Sequence, residues 1–142
     1  PISLEKGWKF LSNPDNLREI TPDEMNFSML TEIDRPVYSG QVIQHQVTPI
    51  LGIKMTWVSK IVHVEPLKYF VDEQLYGPYA FWSHKHFIHE IENGVEMEDI
   101  IDYKVPFGFL GNLVHPIFVK PKLEEIFKYR ESKLTKLFGE YK

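Results

Sequence analysis

The dipeptide Asn93-Gly94 lies between two long segments, AFWSHKHFIHEIE and VEMEDIIDYKV. Asn-Gly is the strongest two-residue hairpin signal, because a tight turn needs residues that tolerate positive φ. Two long strands joined this tightly must be antiparallel, so a purely parallel sheet is excluded. With Asn93-Gly94 as the turn, Glu92 faces Val95 and the ribbon follows: Ile88 opposite Asp99, His86 opposite Ile101, His84 opposite Tyr103, Trp82 opposite Val105. Alternation then puts Trp82, His84, His86, Ile88, Asp99, Ile101 and Tyr103 on one side. The other side pairs Lys85 with Asp102 and His89 with Glu98, which marks it as the wetter one. The first side is expected to face inward although it holds two histidines, an aspartate and a tyrosine. Buried without partners, such groups cost about 1–3 kcal/mol each, so they are paired or line a wet cavity.

Around this hairpin the texture is segregated. SLEKGWKFLSNPDNLREITP reads as a helix capped by Ser3, a break at Asn13-Pro14 and a short helix stopped by Pro22. Short β-rich runs follow from Asn26 to Val105, broken at Asp34-Arg35-Pro36, Glu65-Pro66 and Gly77-Pro78. After PFGFLG, expected as a loop with Phe107 and Phe109 packing inward or gating a cavity, a helical tail carries Leu123, Ile126, Phe127, Leu134, Leu137 and Phe138 in one stripe up to Gly139. Arg130 falls inside that stripe and must snorkel to the rim or meet a carboxylate, for which Asp99 is the expected partner. Helices, then five or six antiparallel strands, then one long amphipathic helix define an α+β fold in a single domain spanning residues 1–142.

Composition narrows the function classes. The net charge is −4 with no basic run, which argues against a nucleic-acid surface. Absence of cysteine excludes disulfides, thiolate metal sites and a cysteine nucleophile, and agrees with a cytoplasmic location. No apolar run reaches the ~18 residues of a membrane span, so no membrane insertion is expected. Aromatics make up 14% of residues, enough to line a cavity as well as fill a core.

The runs FVDEQLYGPYAFWSHKHF, MEDIIDYKVPFGFLG and IFKYRESKLTKLF, with the opening PISLEKGWKFLSNPDNLREITP, resemble the SRPBCC ligand-binding group of the START-like superfamily. The resemblance implies the helix-grip fold: a curved antiparallel sheet wrapped around a long C-terminal helix, with a largely apolar cavity between them. Its D-x-Q, GP, W-x-H-x-H, D-x3-Y and Y-R positions fall on Asp72, Gln74, Gly77, Pro78, Trp82, His84, His86, Asp99, Tyr103, Tyr129 and Arg130. The group also begins with a strand before the first helix. This chain starts where that strand would end, so a trimmed chain or an unpaired sheet edge is expected, and with it a monomer or a homodimer.

Three functions compete for this site. Binding of a hydrophobic or amphipathic small molecule, lipid or polyketide-like, ranks first. Its expected contacts are Trp57, Trp82, His84, His86, Asp99, Tyr103, Phe107, Phe127 and Arg130. An enzyme of the cyclase/dehydratase type is the alternative, with His84, His86, Asp99 and Tyr103 as candidate acid–base groups and the catalytic residues otherwise unknown. The third is a regulatory or partner-binding module. His-x-His is a weak metal signal, and neither a metal nor another cofactor is expected. His45, His63, Trp8 and Phe10 are read as structural, and Lys120 to Glu125 as a solvated helix start.

Overall fold

The computed structural model describes residues 1–50 and 52–141. Ser3 caps helix α1 (Leu4–Leu11) by accepting from the Lys6 N–H, as its position suggests. The short helix expected after Asn13 is a 3-10 turn (Pro14–Arg18), entered through Pro14 and capped by Asn13. Six strands follow: β1 (Ser28–Met29), β2 (Val42–Ile50), β3 (Ile53–Glu65), β4 (Tyr69–Tyr76), β5 (Phe81–Ile91) and β6 (Gly94–Lys104). They form one antiparallel sheet in the order β1-β2-β3-β4-β5-β6. Register shifts within β2–β3 and β3–β4 bend the ladder, as bulges do, and the sheet is curved.

The hairpin register differs from the expected one by two residues. Ile91 faces Gly94, so Glu92 and Asn93 form the turn. Asn93 alone takes the left-handed conformation, at φ 62°, and Gly94 enters the strand. Ile88 therefore faces Met97, His86 faces Asp99, His84 faces Ile101 and Trp82 faces Tyr103. Because the slip is even, every side chain keeps the face assigned to it. Lys85–Asp102 at 2.6 Å and His89–Glu98 at 3.8 Å meet as diagonal neighbours on the outer side.

The other corrections concern the region after β6. Only Pro106 and Phe107 of PFGFLG form a bend: from Gly108 on, helix α2 (Gly108–Val114) and a π turn (His115–Val119) lead directly into α3 (Lys120–Phe138). Phe107 and Phe109 point to solvent, Phe107 with 82% of its surface exposed. Helix α3 ends where the sequence places its stop, at Gly139, which has φ 95° and donates to the Thr135 carbonyl.

A buried cluster of Val37, Ile43, Ile61 and Phe70, flanked by Trp8 and Leu11 of α1, joins the N-terminal helix to the sheet. Gly7 lets α1 lie close on the β5–β6 hairpin: a Cβ there would stand 2.7 Å from Ile88 Cδ1. Away from this cluster, α3 stands off the inner face of the sheet and leaves a cavity.

Candidate functional site

The cavity measures about 190 Å³. Its walls come from α1, the 3-10 turns (Pro14–Arg18 and Asp23–Met25), the inner face of β2–β5 and one face of α3. Strand pairing accounts for the aromatic wall. His45 faces Trp57 across β2–β3 and stacks on it at 5.8 Å, and Trp57 meets Trp82 edge-on at 5.1 Å. Tyr79 packs on Trp82 at 4.7 Å. Its backbone is fixed by the Gln74 side chain, which donates to the Tyr79 carbonyl and accepts from its N–H. Gly77 leaves room for that side chain, since a Cβ would fall 2.6 Å from Gln74 Oε1.

The polar part of the wall is a crossed set of hydrogen bonds. In the strand register Asp72 lies opposite His84, and Asp99 opposite His86. Each histidine reaches diagonally: His86 Nε2 is 2.6 Å from Asp72, and His84 Nε2 is 2.7 Å from Asp99. The two imidazoles lie with centroids 3.6 Å apart and their planes tilted by 32°, and Phe70 stacks on His86 at 4.2 Å. His86 Nδ1 lies 3.1 Å from Asp99 Oδ1, near enough for an ion pair but outside hydrogen-bond geometry. From α3, Arg130 Nη1 stands 3.5 Å from both Asp99 oxygens, with its guanidinium 4.7 Å over Phe127.

These contacts set the charges. Burial lowers the His84 pKa to about 4, and charged His86 beside it adds to the effect. Burial would also discharge His86, but the carboxylates of Asp72 and Asp99 more than reverse this and raise its pKa. Burial pushes both carboxylates up, and the histidines and Arg130 pull both below the usual range. The set therefore places two carboxylates that favour their ionised form against Arg130, with His84 disposed to neutrality and His86 holding a proton more tightly than a free imidazole. His45 stands apart: burial alone brings its pKa to about 4, and its Nδ1 and the Trp57 indole N–H have no partner among the described residues.

Asp72, His84 and His86 hold donor atoms within 4.8 Å of one another, a spacing that a metal ion accepts. His86 and Asp72 already bond each other, His84 bonds Asp99, and a cation there would sit near Arg130, all of which favours a hydrogen-bonded network.

Of the residues singled out in the sequence, Trp57, Trp82, His84, His86, Phe127 and Arg130 line the cavity. Asp99 stands behind the histidines and orients them. Tyr103 sits outside the lining with its hydroxyl 2.5 Å from His115 Nε2, and Phe107 lies on the outer surface. The cavity also takes in Phe10 and His45, first read as structural, and Lys122, which pairs with Glu24 at 2.6 Å. Asp72 is the main addition. Its strand register is not legible from Gly77-Pro78, although it shares the D-x-Q motif with Gln74.

No known protein-family profile matches the chain, and no curated protein matches its sequence. Solved structures do match. A protein of Thermus thermophilus superposes with TM-score 0.69 at 12% identity, covering 97% of this chain and 93% of that one. A Rhodobacter sphaeroides protein gives 0.64 at 19% identity, covering 94% and 86%. Ara h 8.0201 gives 0.58 at 17% identity, covering 96% and 92%. The curved antiparallel sheet, the long C-terminal helix and these likenesses show the helix-grip fold.

Proposed function

We propose that the chain binds a hydrophobic or amphipathic small molecule, lipid or polyketide-like, in the cavity between sheet and α3. The observation that carries this reading is the cavity itself, walled by Trp57, Trp82, Tyr79, Phe127 and aliphatic side chains, with one polar network on its surface. Its 190 Å³ exceeds the ~150 Å³ that accommodates benzene in an engineered core. START-like proteins typically hold hydrophobic ligands, which supports the same reading. Asp72, Asp99 and Arg130 already have partners within the wall, which favours a ligand without net charge, since a further buried charge would lack one. We read residues 1–142 as one binding unit, and the lack of cysteine supports a reducing, cytoplasmic setting.

Native mass spectrometry of protein purified without detergent tests the proposal. An added mass that survives desalting and is lost in an Ile126→Trp variant is expected. An empty wild-type protein that also fails to quench Trp57 or Trp82 fluorescence with any added amphiphile would overturn it.

One observation favours a second reading, a cyclase/dehydratase. His86 and Asp72 form a 2.6 Å pair on the cavity wall, and the raised pKa of His86 suits it to a general acid held by its carboxylate. It requires that a His86→Gln variant keep ligand binding and lose turnover of a bound poly-ketone. Equal turnover in the variant removes it.

A further inference from the structure

One end of the molecule is built unlike the rest. The β2–β3 turn, the β4–β5 loop and the end of β6 share that end of the sheet, and α2 with its π turn extends from it. Phe107, Phe109, Leu113, Ile117 and Phe118 are exposed on the extension, and Tyr76 and Phe81 beside it. Among the described residues the one side-chain hydrogen bond from α2 or the π turn to the sheet is that of Tyr103 with His115. Exposed apolar side chains gathered on one such extension point to an interaction site.

Charge decides what it meets. From Tyr103 to Leu123 the sequence holds no aspartate or glutamate, although the chain as a whole carries −4. Lys54, Lys104 and Lys120 lie at this same end, all exposed and without a salt bridge among the described residues. The opposite end of the sheet carries the acids: Glu90, Glu92, Glu96 and Glu98 flank the β5–β6 turn. Exposed lysines without acidic partners and exposed apolar side chains thus occur at the same end.

We propose that this end docks on the surface of an anionic lipid bilayer, with α2 and the π turn lying among the headgroups. Aromatic and aliphatic side chains ringed by lysines are what an interfacial segment needs. Among the described residues no helix is long and apolar enough to cross a membrane. A second copy is the poorer partner, because a two-fold contact through this end would set the three lysines against the same three lysines. Pro49, Tyr79 and Val119, which belong to this end, also line the cavity. Docking therefore holds the cavity against the bilayer.

Co-sedimentation with phosphatidylcholine vesicles, with and without phosphatidylglycerol, tests this at low and high salt. Binding to the anionic vesicles that weakens with salt is expected. Phe109→Glu with Ile117→Glu should lower partitioning by about tenfold or more. Lys104→Glu with Lys120→Glu should lower it by roughly fivefold per lysine, on anionic vesicles only. Thermal melting should match the parent in the lysine pair, which keeps the test decisive if the apolar pair fails to fold. Failure to sediment with anionic vesicles, or unchanged sedimentation of the lysine pair, overturns the proposal. So does a dimer by light scattering that Phe109→Glu abolishes.

Discussion

Replacing Asp99 by Asn removes the charge that two imidazoles and a guanidinium share. Arg130 Nη1 lies 3.5 Å from both Asp99 oxygens, and only 9% of Arg130 is exposed. Unit charges at that separation attract by about 5 kcal/mol at an effective dielectric of about 20. Stranding one member of a buried pair typically costs about 3–5 kcal/mol, and that is the loss expected for Asp99→Asn. Arg130→Met keeps an apolar stem over Phe127 and leaves Asp99 with both histidines, so it should cost less. In the double variant no buried guanidinium is left unmatched. The two losses should therefore fall short of additivity by at least about 1 kcal/mol. Urea unfolding at neutral pH measures all four proteins, with an unchanged dependence on denaturant showing that the same surface is exposed. A single-variant cost for Asp99→Asn below about 1 kcal/mol, or additive losses within about 0.5 kcal/mol, would refute the ion pair.

Three further outcomes follow from the same structure. The folded His45 pKa, about 4, lies below the ordinary histidine value, so unfolding takes up a proton between the two and stability falls as pH drops through that window. His45→Phe should remove about 1.4 kcal/mol per pH unit from the slope there, read by urea unfolding across pH. His84 acts in the same direction, while the raised His86 contributes stability at low pH that fades as pH rises through its folded value. Gly7→Ala should destabilise by about 1–3 kcal/mol despite a better helix residue, because Ile88 is too confined to yield; a melt checks it. Tyr103→Phe loses the hydrogen bond to His115 and should loosen residues 107–119 by about 1 kcal/mol, seen as faster hydrogen exchange in that segment alone.

Much of the architecture was legible because it rests on local signals. Ser3, Asn13-Pro14 and Gly139 bound their elements by backbone chemistry that neighbours do not override. Alternation put His84, His86 and Asp99 on the inner face even with the turn misplaced. What failed depended on distant partners. Asp72 enters the site through a β4–β5 register that no tight turn dictates. His45 looked isolated because its neighbour Trp57 stands across a strand pair. The stretch PFGFLG carries two glycines and a proline, which read as loop, yet a Cβ on Gly111 would fall 2.0 Å from the Pro106 carbonyl oxygen: there the glycine permits a helix to start hard against the preceding chain.

The even slip of the β5–β6 hairpin bears on how such a protein tolerates changes in length. Adding or deleting two residues between Ile91 and Gly94 moves one strand along the other but leaves both histidines and Asp99 looking inward. Adding a single residue that the turn does not absorb rotates one strand by half a pleat relative to its partner. Either the imidazoles or their carboxylate would then face solvent, and the cavity would lose its polar wall at one stroke. Variation in this turn is therefore tolerated in steps of two, and a lone insertion survives only where a bulge takes it up before it reaches His86.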